Sequence, residues 1–243
     1  MTIENIKVYD TFRSAIALES VEGGILEDVT IRNIEAVNTG NAIFIRLGHR
    51  NVDGQVGTLK NVSIKNIKVQ IPFDRPDAAY ELRGPELPFF HNPFPACIAG
   101  LPGHNVKNVT LENISVIYPG RSNNGLAYKS VYFLDNIPEN ESAYPEFHIF
   151  GELPAWAMFI RHVDGLKMKN ISFGLEEPDF RSAIVLDDVK NFEIDGLELD
   201  AKGGGNPVVL RNVTKADFKS VNIGDQKLKK VKCINGCEDV SVE

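Results

Sequence analysis

The chain has 243 residues, 43% hydrophobic and 24% charged, with a formal net charge of -7. That balance suits a globular protein and excludes a nucleic-acid binder, which needs a basic face. No apolar run approaches the ~20 residues of a membrane-spanning helix, and MTIENIKVYD lacks the basic-then-apolar order of a secretory leader, so no signal peptide is expected in this chain.

Taken in order, the chain alternates two kinds of short segment. A phrase of β-branched residues punctuated by Asn begins as IENIKV at Ile3 and is complete in LEDVTIRNIEA at Leu26. It returns almost unchanged as LKNVSIKNIKV at Leu59 and VKNVTLENISV at Val106, then more weakly as LKMKNISF at Leu166, FEIDGLEL at Phe192 and ADFKSVNI at Ala216. Between the phrases stand apolar strings: AIALES (15–20), AIFIRL (42–47), ACIAGL (96–101), AMFIRH (157–162), AIVLDD (183–188) and PVVLRN (207–212). Alternation of period two with β-branched residues predicts strands, and no segment carries a helical apolar period. Two long insertions interrupt the pattern, at about 72–95 and 119–156, each ahead of a string. Long loops in a compact domain are where function concentrates.

Units of roughly 25 residues that cannot close a core alone must stack on their neighbours. The expected fold is therefore all-β, a right-handed parallel β-helix with about three strands per coil, forming one domain over 1–243 with a C-terminal cap at about 224–243. Asp28, Asn61 and Asn108 share one position in the frame, and Asn33, Asn66 and Asn113 another. Such columns predict side-chain ladders at the inter-strand spacing of about 4.8 Å. The N-x-S/T triplets at Asn61, Asn108, Asn113, Asn140, Asn170 and Asn212 are read as ladder chemistry rather than glycosylation sites. A stack starting at Ile3 exposes an edge, and the occupant expected there is another copy, a swapped segment or a separate N-terminal polypeptide.

Cys97 stands alone, and Cys233 and Cys237 in CINGC either pair across a tight loop or remain free. With no second Cys/His pair at ligand spacing, neither metal nor cofactor is expected.

Several stretches carry a resemblance to a known family. AIALESVEGGILEDVTIRNI, AIFIRLGHRN, GTLKNVSIKNI, GLPGHNVKNVTLENI, YPEFHIFGELPAW and FIRHVDG together resemble bacterial polygalacturonase-like proteins of glycoside hydrolase family 28. The resemblance implies a parallel β-helix that hydrolyses pectic, uronic-acid-containing polysaccharides in a secreted or periplasmic setting, normally with inversion. Inversion uses a protonated carboxylic acid and a second carboxylate about 6.5–9.5 Å away that activates water. The family supplies these from N-T-D and G-D-D motifs, followed by G-H-G and an R-I-K-type strand. Here Asn38-Thr39-Gly40 has glycine where the acid belongs, Asp187-Asp188 follows leucine and lies too far along the chain, and neither Gly48-His49-Arg50 nor Gly103-His104-Asn105 is G-H-G. AIFIRL resembles the R-I-K strand, with Arg46 in place and Leu47 departing from it. The expectation is a chain matching the later coils of such a protein, without the catalytic pair. The alternative is a non-catalytic carbohydrate-binding or structural module.

Aligned strings give an outward column of Glu19, Arg46, Gly100, Arg161, Asp187 and Arg211. One reading is a surface ion ladder; the other is a cleft floor whose guanidinium forks grip sugar carboxylates. The resemblance places a substrate-contacting arginine at Arg46, with Glu19 beside it to orient the guanidinium. His49 and Arg50 follow into the turn, as uronate contacts or turn caps, and His162 reads as a structural hydrogen-bonding residue. The insertions offer Tyr80, Phe89, Phe90, His91, Phe94, Tyr144, Phe147 and Trp156, of which Tyr80 and Trp156 are candidate sugar-stacking faces and the phenylalanines loop packing. Glu81 and Glu86 are the acids best placed to replace a lost one. The expected substrate-binding set is thus Arg46, His49, Arg50, Glu19, Arg161, Trp156 and Tyr80, with a polysaccharide or oligosaccharide as partner.

Overall fold

Repeated left-handed corners shape this chain. In the computed structural model, which describes residues 1–51, 53–74, 94–122 and 129–243, Asp28, Asn33 and Asn38 all sit at φ of 55–58° inside a single strand. Most L-residues lose about 1–2 kcal/mol in that conformation, whereas Asn and Asp tolerate it by local hydrogen bonding. The β-branched residues between corners keep the backbone extended, so each strand bends without breaking.

The strands are β1 (Thr2–Ser20), β2 (Ile25–Leu47), β3 (Thr58–Gln70), β4 (Ala96–Ala99), β5 (Val106–Tyr118), β6 (Ala155–Leu175), β7 (Ser182–Leu199), β8 (Val208–Ile223), β9 (Gln226–Lys227), β10 (Lys232–Asn235) and β11 (Glu238–Val242). The single helical turn among the described residues is a 3-10 turn at Leu134–Asn136. Every strand pairing is parallel except the turn-back of β9 on β8.

The all-β class agrees with expectation, but the β-helix solenoid is corrected. β2 pairs β3, β3 pairs β5, β5 pairs β6, β6 pairs β4 and β4 pairs β2. In its pairing the sheet is a closed five-strand parallel barrel, with β1, β7, β8, β9, β10 and β11 outside it. The reason lies in strand length. β2 runs unbroken for 23 residues and β6 for 21, each joining a string and a phrase that the sequence separates. Each therefore holds two partners at once, β2 through 25–37 and 44–46, and β6 through 158–161 and 163–175, which closes the circuit.

The phrases lie side by side in register, Val62 opposite Val109 and Ile67 opposite Ile114. Their corner amides form the expected ladders. Asn33, Asn66, Asn113 and Asn170 each donate to the preceding corner in a series starting at Asn5, at 2.9–3.0 Å. Asn61 donates to Asp28 at 2.9 Å and Asn108 to Asn61 at 3.1 Å. The series stop at Gly165 (φ +84°) and Gly196 (φ +80°), where an added Cβ would lie 2.9 Å and 3.2 Å from the Oδ1 of Asn108 and Asn170.

Inward residues of both segment types fill one elongated core, including Ile45, Ile64, Ile160, Leu186 and Leu210. Leu228, just beyond β9, covers its C-terminal end. A second apolar layer lies outside the strings: Phe44, Cys97, Phe159, Val185 and Val209 are buried beneath Leu134, Ile137, Phe147, Phe150 and Leu153. The described part of the second insertion therefore lies flat on the sheet, each buried phenylalanine contributing about 1.5–3 kcal/mol. At the other end, β1 pairs with β2 alone among the described residues.

Candidate functional site

Register places Glu19 opposite Arg46, Arg46 opposite Ala99, Ala99 opposite Arg161, Arg161 opposite Asp187 and Asp187 opposite Arg211. Ala99, not Gly100, occupies the column. Segment 129–154 covers this outward column at Arg46, Arg161 and Asp187, whereas Glu19 at its edge is exposed. Arg46 is 1% exposed, and its guanidinium donates to the carbonyls of Gly100 (3.0 Å) and Glu139 (2.5 Å), neither bond coming from Glu19. Arg161, also buried, donates to the carbonyls of Leu134 (2.6 Å) and Ile137 (3.0 Å), to Asp187 (2.8 Å) and to the Glu139 carboxylate (3.0 Å). Arg211 grips both oxygens of buried Asp187 at 2.6 and 2.8 Å and reaches Asp135 at 2.6 Å. These residues fasten the segment to the sheet, so the expected cleft floor of Arg46 and Arg161 is a buried clamp. Burial lowers the Arg46 pKa.

Trp156 offers no stacking face either. It is 1% exposed and packs edge-on to Tyr118, their ring centres 5.8 Å apart. Tyr80, Glu81, Glu86, Phe89, Phe90 and His91 lie outside the described residues.

One step beyond Arg161, His162 (φ 53°) occupies a left-handed corner aligned with Asp188 and Asn212. Its Nδ1 lies 2.6 Å from Asp188 and its Nε2 3.1 Å from Glu139. Burial pushes the imidazole pKa down, but the hydrogen bonds to the two carboxylates outweigh it and hold the pKa above the ordinary value. Burial likewise pushes Glu139 up, and its bond to His162 and the nearby Arg161 reverse this and lower it. The imidazole fills the space between the two carboxylates where an inverting pair needs water. Glu139 is held ionised, the opposite of a general acid. The corner is an ionic lock rather than a hydrolytic pair.

The exposed chemistry sits on the outer surface of the same segment. A cleft of about 610 Å³ is bordered by Lys129, Asn140, Tyr144, Glu146, His148 and Glu152, within the roughly 300–1,000 Å³ typical of ligand sites. The Tyr144 ring is 62% exposed, with the Arg50 guanidinium 5.2 Å from its centre. Arg50 also pairs with Glu22 at 2.9 Å, and the His49 amide donates to the Glu141 carbonyl at 2.6 Å. His49 and Arg50 are thus the two expected site residues that meet this segment at its exposed side. Phe147 anchors the cleft from beneath, its ring centre 5.1 Å from Phe94 and 5.5 Å from Phe12, and Arg13 pairs with Glu146. Burial lowers the His148 pKa, so the ring is neutral at pH 7. Sequence reasoning missed Lys129 and His148 and named Tyr144 without giving it a role; the aromatic alternation of YPEFHIF was the available signal.

A groove of similar volume, about 630 Å³, follows Asn33, Asn66, Asn113 and Asn170 on the phrase side. Its amides bond one another, and it offers neither an aromatic face nor a guanidinium. Among the described residues no group of three or more His, Cys, Asp or Glu is placed to hold a metal ion. Compared with known protein families, curated proteins and solved structures, the chain matches none.

Proposed function

We propose that this chain binds a uronic-acid-containing polysaccharide of the pectic class along the Tyr144 cleft and does not hydrolyse it unaided. The observation that carries this reading is the exposed Tyr144 ring with Arg50 beside it, at a cleft that also holds Lys129. An aromatic face stacks on the apolar face of a sugar ring, while a guanidinium fork and an ammonium pair with its carboxylate. The two stretches that build this corner, AIFIRLGHRN and YPEFHIFGELPAW, are among those resembling polygalacturonase-like proteins. Hydrolysis in such a system requires carboxylates other than the His162-bridged pair, and the substrate class implies a secreted or periplasmic setting.

Titration calorimetry with oligogalacturonides tests the reading. Binding should weaken with added salt and with methyl esterification of the ligand, and Tyr144→Ala and Arg50→Ala should each reduce affinity about tenfold, equivalent to about 1.4 kcal/mol. Equal affinity for esterified and free ligand would sink the proposal. So would reducing-sugar release from polygalacturonate by the chain alone.

A further inference from the structure

The last corner of the sheet differs from those before it in its inward residues. In β8 the corner at Asn212 is flanked by Leu210 and Val213, both fully buried in the core. Register carries these positions onto Cys233, opposite Leu210, and Cys237, immediately before the Glu238–Thr214 pair. A register shift after Cys233 adds one residue on the terminal strand. Two thiols therefore occupy the places where β6, β7 and β8 carry the buried apolar pairs Ile160 and Val163, Leu186 and Val189, and Leu210 and Val213.

Alternation agrees with this placement. Lys232 points outward, its ammonium 2.5 Å from the Tyr132 hydroxyl, and Ile234 joins the outer apolar layer, which turns Cys233 to the inner side, where it is exposed on the terminal strand and open to an oxidant. Cys237 packs partly buried against the core, its thiol donating to the carbonyls of Leu210 (3.6 Å) and Asn235 (3.5 Å). Both are free in this structure.

We propose that Cys233 and Cys237 form a regulatory disulfide that closes the C-terminal end of the core and locks β10 to β11. The oxidant is a small disulfide such as oxidised glutathione. One cysteine thiolate attacks a glutathione sulfur, forming a mixed disulfide and expelling a glutathione thiolate. The second cysteine thiolate then attacks the protein-bound sulfur and expels the other glutathione. Two protein thiols are oxidised, one glutathione disulfide is reduced to two thiols, and the two protons pass to the leaving groups. Cys97, fully buried with its thiol pushed up to about 12 by burial, stays outside this exchange.

The test treats the full chain with oxidised glutathione, blocks remaining thiols with N-ethylmaleimide under denaturing conditions and maps the peptides by mass spectrometry. The expected product is a 233–237 peptide lighter by two hydrogens, with Cys97 alone alkylated. Cys233→Ser should instead stop at a glutathione adduct on Cys237. Amide hydrogen exchange across 232–242 should slow at least tenfold in the oxidised protein. Persistent alkylation of both thiols, a disulfide between two chains, or oxidation without slower exchange would overturn the proposal.

Discussion

The phrase corners and the string corners solve the same geometric problem with opposite chemistry. Along the phrases, exposed Asn residues hold left-handed corners and bond to one another or to an exposed corner Asp such as Asp28, so the rungs are mostly neutral and replaceable. Along the strings, the outward positions are Arg46, Arg161 and Asp187, buried beneath a segment whose carbonyls and carboxylates satisfy them. A neutral ladder can face water unassisted. A charged column can be buried only if something covers and pairs it. The charged face is therefore where the sheet is committed to one particular loop, and the exposed side of that loop is where the candidate cleft lies.

The difference can be broken most severely at Asp187. Asp187→Ala strands the charges of Arg161 and Arg211 beneath the segment, and should cost about 3–5 kcal/mol in equilibrium unfolding. On the neutral side, Asn66→Ala loses both the corner preference and two ladder bonds, at about 2 kcal/mol. Asn66→Gly, which keeps the corner and loses only the amide, should cost about half as much. A loss at Asn66 equal to that at Asp187 would show that the two faces do not differ.

The pH dependence sharpens the contrast, because only the string side carries an ionic lock. Relative to an ordinary value of 6.5, the folded His162 pKa is raised, so its contribution is fully present below pH 6.5 and is lost as pH rises through the folded value. Relative to an ordinary value of 4.5, Glu139 is lowered, so its contribution is present above pH 4.5 and is lost as pH falls through the folded value. Both act together between pH 4.5 and 6.5. His162→Asn keeps a left-handed corner residue and should flatten the alkaline limb of a Tm–pH curve while leaving the limb set by other carboxylates. The smallest effect belongs to the exposed Lys167–Glu193 pair at 3.2 Å. Lys167→Ala should change stability by less than about 1 kcal/mol.

Much of the strand pattern is legible because Asn at a left-handed corner leaves a fixed mark in the frame: Asp28, Asn61 and Asn108 form one column in the sequence itself. The closed circuit was not, because nothing in AIFIRL or FIRHVDG says that the chain passes from string to phrase without leaving the sheet. Alternation also identified the outward side of Arg46 and Arg161 correctly but not its burial. That depends on residues far along the chain, where Leu134, Ile137 and Glu139 supply the covering carbonyls. The same distance effect removed Trp156 from the surface. His162 carried a readable clue, since it shares its place in the frame with Asp188 and Asn212.

The interruption of both amide series at Gly165 and Gly196 divides the molecule mechanically. Strands up to β6 are cross-linked edge to edge by corner amides, whereas beyond β6 the links are mainly ionic, through His162 to Asp188 and Arg211 to Asp187, with the corner amide of Asn191 on Asp164. The two blocks should therefore answer to different conditions: a rise in pH that discharges His162 loosens the ionic block and leaves the amide-bound one unchanged.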